Sequence, residues 1–392
     1  MNQLLSQKRI LAICETPFQA FGLVAMYNAD FFELSKDLVI LINRQVLNNC
    51  PEALKLIQAI TSARIFITKD NYFNSKHLGL ESIVWRYSPS SETRKRRGTL
   101  HALVGDLDVD ILLCASITPL VIDAKNLFCI NGETVLYDDG TGTHNGAVAA
   151  SLALYDEILH NDVVSKLGRS GKAKFFIKHF VNVITRETLL MNVKAVCMFN
   201  SKSSGRIYKN LPLYDIPVDD LKAFLYLHRI FPNFACLDNC LDKGIIYLSL
   251  PDNATKELIN LEESVLRTLT SFQSGHFAIR PHPRTKRFDS LVVHNLIAND
   301  VWELMCLFGL ISDKTTLIGY ASSAQVNPKL IFGLEPRVIF LHRLLNQKQC
   351  TEGYSESTYH LLKDLYSHPE RVLAPSTLKE LKDDILDYDY ES

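Results

Sequence analysis

The sequence has no long apolar run, no surplus of one charge and none of the short signatures that mark several large enzyme classes. The amino-terminal MNQLLSQK has no apolar core, and the ILAIC after Arg9 is too short for a signal peptide or a membrane span. Later stretches offer no span either, so any work on a membrane-bound substrate is expected of a peripheral protein. The formal net charge over 392 residues is -1. No global field therefore draws the chain to nucleic acid, and attraction to an anionic partner has to come from a local patch. There is no GxGxxG after the first apolar run, no P-loop lysine, no GxSxG and no HExxH. These absences count against dehydrogenase, nucleoside triphosphatase, esterase and metalloprotease chemistry.

What is present fits a soluble protein of a reducing, cytoplasmic compartment. Nine cysteines are scattered, mostly inside apolar runs such as DILLCASI and AVCMFN, where a free thiol acts as a small hydrophobe. The close pair Cys236 and Cys240 has three residues between the thiols and no matching second pair, and reads as structural rather than as a metal site. With 47% hydrophobic and 22% charged residues, the chain is long enough for two ordinary domains.

Short runs rich in β-branched residues alternate with stretches of helical period, the rhythm of parallel sheets covered by helices. Strands are predicted at RILAIC, DLVILIN, RIFIT, DILLCAS, TVLYDD and AVCMF, then at GIIYLSL, HFAIRP, TTLIGY and RVIFL. The rhythm weakens from Ala149 to Asp242, which reads as a helical central region. The domain junction is therefore expected near residue 240, with an acceptor-side domain at 1–240 and a nucleotide-binding one at 241–392. Two doubly wound domains would face each other across a cleft and hold ligands at the carboxyl ends of their strands.

Polar residues just after strands are accordingly the candidates for chemistry. In YDDGTGTHNG, Asp138 and Asp139 stand on a tight corner before Gly140, where one carboxylate could take a proton while its neighbour bonds the loop. An Asx-turn capping the next helix explains the same residues, and a metal-binding pair is a third reading. In HFAIRPHPRTKR, Arg280, His282, Arg284, Lys286 and Arg287 follow a strand stiffened by Pro281 and Pro283. So many cations disfavour a charged histidine until an anion arrives, which suits a phosphate site; a solvated basic turn is the plainer reading. In LIGYASSAQ, Ser322 and Ser323 open a helix, where hydroxyls and free N–H groups could hold an anion or simply cap. CETPFQAFG places Glu15, Thr16 and Gln19 after the first strand, on the acceptor side of the cleft or at an ordinary helix start with proline. Asp252 follows the first strand of the second half and is either an alternative base or an N-cap. TRKRRG and residues 166–181 are locally basic. They read either as faces for an anionic membrane or a partner subunit, or as solvated helix surface.

The ordered set Asp138-Asp139-Gly140, His282-Pro283 and Ser322-Ser323 resembles the motifs shared by bacterial sialyltransferases and polysialyltransferases. The opening CETPFQAFGLVAMY looks like the start of the lipooligosaccharide sialyltransferase family. The resemblance implies a GT-B-like α/β fold and an inverting transferase with no cofactor and no obligatory metal. Its donor would be CMP-sialic acid, and its acceptor a terminal sugar, galactose, of a cell-surface glycan such as lipooligosaccharide or capsule. It makes Asp139 the general base with Asp138 beside it, gives His282 the departing phosphate, and gives Ser322 and Ser323 the binding of that phosphate. Glu15, Thr16, Gln19, Gly140, Arg280, Pro283 and Arg284 would contact substrate. Some family members place the base in the other domain, which keeps Asp252 in contention. Others move different sugars, so a glucosyl or N-acetylglucosaminyl donor is the alternative, and a non-catalytic glycan- or nucleotide-binding module is another. A homodimer and peripheral contact with the inner membrane are further expectations.

Overall fold

The computed structural model describes residues 2–69, 91–144, 192–204, 208, 211–231, 244–252, 254–272, 277–282, 285, 301–345 and 352–391. The chain divides into two compact units, Met1–Ile230 and Phe231–Ser392. The junction expected near residue 240 lies outside the described residues, as do the Cys236/Cys240 pair, the basic stretch 166–181, and Pro283, Arg284, Lys286 and Arg287.

Among the described residues the first unit holds seven strands: β1 (Arg9–Cys14), β2 (Asp37–Ile42), β3 (Ala63–Ile67), β4 (Ile111–Cys114), β5 (Glu133–Tyr137), β6 (Val193–Met198) and β7 (Leu213–Asp215). They pair in the order β3-β2-β1-β4-β5-β6-β7, every pairing parallel. Residues 10–14, 38–42 and 111–114 are buried without a polar interruption, as strands covered by helices on both faces require. The chain leaves β1 and β4 by the same local device. Thr16 and Thr118 are N-caps, each followed by proline at the first helical position, and each hydroxyl accepts a main-chain N–H three residues on. The helices so started are α1 (Pro17–Asn28) and, after α2 (Ser91–Val104), α3 (Pro119–Phe128).

The basic run TRKRRG lies in α2, and only part of it faces water. Arg94 and Lys95 are exposed, whereas Arg96 and Arg97 turn inward and both donate to the fully buried Asp123 of α3, at 3.3 and 2.9 Å. A carboxylate without solvent needs such partners. This run therefore pins two helices together as well as presenting charge.

The second unit holds β8 (Ile245–Leu248), β9 (Phe277–Arg280), β10 (Thr316–Gly319), β11 (Arg337–Phe340) and β12 (Val372–Leu373), again all parallel, in the order β12-β11-β10-β8-β9. Its helices include α4 (Lys256–Phe272) and α5 (Ser323–Phe332). Buried residues pack on both faces of this sheet, around Leu317 and Phe340 on one and around Tyr247 and Ile339 on the other. Both units are thus doubly wound α/β sheets, the fold class expected of a GT-B-like chain. Each has a point where strand order reverses, between β1 and β4 in the first and between β8 and β10 in the second, and ligands of such sheets bind outside the carboxyl strand ends at that point.

Among the described residues no helix is long and apolar enough to cross a membrane. The described cysteines, 14, 50, 114, 129, 197 and 306, are free and buried.

Candidate active site

The exits of β1, β2, β4 and β5 bring one polar cluster together at the reversal point of the first sheet. Glu15, the residue after β1, is 6% exposed. Its carboxylate accepts from the Thr118 hydroxyl beyond β4 at 2.6 Å and from the Asn43 amide beyond β2 at 3.4 Å. Asp139, beyond β5, accepts from the Gln19 amide at 2.8 Å. Gln19 is buried in the first turn of α1, its oxygen accepts the Glu15 main-chain N–H at 2.7 Å, and the Tyr137 hydroxyl oxygen lies 3.4 Å from it. Tyr137 in turn donates to the carbonyl of Ile13.

Asp138 and Asp139 play different parts. Asp138 is buried and receives three groups: the Gly140 N–H at 2.8 Å, the Phe199 N–H at 2.9 Å and His144 Nε2 at 2.9 Å. Gly140 closes this Asx-turn at φ 77, a left-handed conformation that favours glycine. His144 Nδ1 meets the Ser203 hydroxyl at 2.7 Å, so the loop after β5 is tied to the exit of β6. Asp138 is therefore the loop's fastener. The half-buried Asp139, whose own N–H donates to Thr143, has its carboxyl turned to the cluster.

The two outer carboxyls are electrostatically unusual. Burial pushes Asp139 up to about 6, aided by the charge of Asp138 and opposed by hydrogen bonds from Gln19 and Ser116. Burial pushes Glu15 up to about 7, opposed by Thr118 and Asn43 and reinforced by the charge of Asp139. Both carboxyls are raised towards neutrality, and because the charge of Asp139 is one cause of the Glu15 rise, the two titrate as a coupled pair. Such a carboxylate can accept a proton from a hydroxyl near neutral pH.

In the second unit, His282 beyond β9 is fixed to the exit of β8. Its N–H donates to the Ser249 hydroxyl at 2.8 Å, its carbonyl accepts from Thr285 N–H at 2.8 Å, and the Thr285 hydroxyl donates to the carbonyl of Leu250 at 2.7 Å. The buried Glu262 of α4 holds this exit from behind, accepting from Leu250 N–H and the Tyr247 hydroxyl. Arg280 is buried and acts on the buried Glu303, countering the rise that burial imposes on that carboxyl. Asp252 is exposed in the turn after β8.

At the β10 exit Ser322 is the N-cap of α5. Its hydroxyl accepts from Ala324 N–H, while Gln325 reaches back to accept the N–H groups of Ala321 and Ser322, each at 3.0 Å. Both readings of the serines fit this arrangement: Ser322 caps, its hydroxyl proton remains to donate, and Ser323 occupies the first helical position. Ser249, Thr285, Asn43, Thr118, Ser116 and His144 were not singled out from sequence. The TP pair shared by ETPF and ITPL was the signal that could have found Thr118.

A cavity of about 550 Å³ lies elsewhere in the first unit, lined by Tyr27, Asp30, Glu33, Asp37 and Phe224 among others. It opens at the starting end of β2, away from the strand exits.

No family model matches the chain, and no curated protein does. Solved structures with a similar course include a UDP-glucosyltransferase from Polygonum tinctorium (10% identity, TM-score 0.49, covering 98% of this chain and 89% of that one). Another is the GT-B domain of a sialyltransferase from Photobacterium damselae (11%, 0.44, 93% and 99%). A third is a UDP-GlcNAc 2-epimerase from Neisseria meningitidis (13%, 0.43, 98% and 100%). At these scores the likeness adds nothing to what the strand orders already establish.

Proposed function

We propose that the chain is an inverting glycosyltransferase that needs no metal and takes its sugar from a nucleotide donor, CMP-sialic acid being the donor the sequence motifs favour. The observation that carries this reading is Asp139: a carboxyl at the reversal point of a doubly wound sheet, held by Gln19 and raised by burial to about 6. In the proposed reaction Asp139 removes the proton of an acceptor sugar hydroxyl as that oxygen bonds to the anomeric carbon. The bond from that carbon to the donor phosphate breaks on the opposite face, so configuration inverts in one displacement. The departing phosphate gathers negative charge, which His282, the Ser322 and Ser323 hydroxyls and the N-terminus of α5 stabilise. The exits of β8 and β9, tied together through Ser249, and the exit of β10 on the other side of β8 support a phosphate site on the second sheet. A donor carrying a glucosyl or N-acetylglucosaminyl group would use the same two sets of residues with a different sugar pocket.

Calorimetry of the purified protein with CMP, UDP and GDP tests the donor assignment. Selective binding of CMP, weakened about tenfold or more in His282→Ala, is the expected result. Binding of UDP with no binding of CMP would replace sialic acid by another sugar, and binding of none would overturn the phosphate site.

A further inference from the structure

Gln19 stands in the first turn of α1 where a side chain could meet an acceptor. Its hydrogen bonds give it a different task. The Glu15 main-chain N–H can only donate, so the Gln19 atom 2.7 Å from it is the amide oxygen. The amide nitrogen is thereby turned onto Asp139 Oδ1 at 2.8 Å. The residue itself cannot drift, because its N–H is taken by the N-cap Thr16 and its side chain is 2% exposed. One amide thus links the exit of β1 to the carboxyl beyond β5, across two intervening strand spacings of the sheet.

We propose that Gln19 is a positioning residue for Asp139: clamped to the Glu15 main chain, its amide presents the Asp139 carboxylate to the acceptor in one orientation. This rests on the reading of Asp139 as the general base. The titratable groups around Asp139 are Asp138 beside it, Glu15 at the β1 exit, Tyr137 beneath it, and Cys14 and Cys114 in the neighbouring strands; His144 is bonded to Asp138. The described influences that favour its charged form are hydrogen bonds from Gln19 and Ser116, Gln19 being the larger. Loss of the Gln19 donor therefore leaves the carboxylate both less ordered and harder to ionise.

Two variants separate this role from plain packing. Gln19→Met removes both amide functions at similar volume. Gln19→Glu keeps an oxygen for the Glu15 N–H, while its ionised form withdraws the donor from Asp139 and adds a like charge beside it. Carboxyl ¹³C NMR of aspartate-labelled protein, with the Asp139 signal assigned through Asp139→Asn, reads the ionisation directly without any substrate. The expected midpoint is about 6 in the natural protein and higher in both variants. Transfer or donor hydrolysis with CMP-sialic acid should fall about tenfold or more at neutral pH, with the acid limb of the pH profile displaced upward in step. An unchanged Asp139 midpoint in folded Gln19→Met, which removes the donor without adding a charge, would overturn the positioning role whatever the activity. Full activity in Asp139→Asn would instead overturn the base assignment and leave the Gln19–Asp139 link standing as measured.

Discussion

A carboxyl raised by burial weakens the fold once it ionises, and the first unit carries two of them at neighbouring strand exits. Asp139 and Glu15 titrate at about 6 and about 7 in the folded chain, against roughly 3.9 and 4.3 when unfolded. Between pH 4 and 7 the folded state therefore binds more protons than the unfolded state. Their contribution to stability is fully present below pH 4 and is lost as pH rises through 6 and 7. The double variant Asp139→Asn, Glu15→Gln should lose this dependence. Its melting temperature relative to the natural protein should rise between pH 5 and 8 in thermal scans, and a constant difference over that range would refute the raised values. At this scale the sequence was informative but incomplete. The DDG corner was legible as an Asx-turn, and the structure gives that turn to Asp138, leaving the carboxyl of Asp139 to the polar cluster. The partners that oppose the rise of the two raised carboxyls, Gln19 and Ser116 for Asp139 and Thr118 and Asn43 for Glu15, lie on other segments and become neighbours only through strand order.

Among elements, the start of α5 shows how a strand exit is fixed at a local cost. Ala321 sits at φ 76, where a residue with a Cβ is strained, and the strain is held by Gln325. That fully buried side chain accepts two N–H groups and donates to the carbonyl of Ile339 in β11 at 3.1 Å. Gly319 makes room for it: a Cβ there would lie 3.1 Å from the Gln325 oxygen and 3.2 Å from Leu248 Cβ. Gln325→Ala would remove the partner of the buried Ala321 N–H and of the part-buried Ser322 N–H, together with the bond to Ile339. It should cost about 2 kcal/mol or more in urea unfolding, with Gln325→Glu recovering part of the loss. A cost below about 0.5 kcal/mol would mean that Ala321 relaxes on its own. Ten strands were readable because a buried parallel strand is a continuous apolar run. The two that escaped, β7 and β12, are edge strands of three and two residues whose LYD and VL carry no such pattern. Capping was readable at ETPF, where proline marks the first turn, and the Ser322-x-x-Gln325 spacing carries the capping-box signature, whereas the bonds of Gln325 to Ala321 and Ile339 form only in the folded chain.

For the whole molecule, the division into two units assigns the two halves of the proposed chemistry to separate sheets, each with its own core and its own strand exits. A nucleotide without its sugar should therefore be felt in one of them. Amide exchange reports local opening, and a ligand slows it where opening requires release of that ligand. With saturating CMP, protection is expected at residues 249–252 and 320–326, the exits of β8 and β10. Residues 15–19 and 138–144 should keep their free rates. Protection confined to the first unit would place the nucleotide at the wrong sheet and remove His282 and the serines from the mechanism. Protection in the second unit that survives His282→Ala but vanishes in Ser323→Pro would narrow the site to the start of α5. In that outcome the main-chain N–H lost to proline, rather than the imidazole, would carry the phosphate.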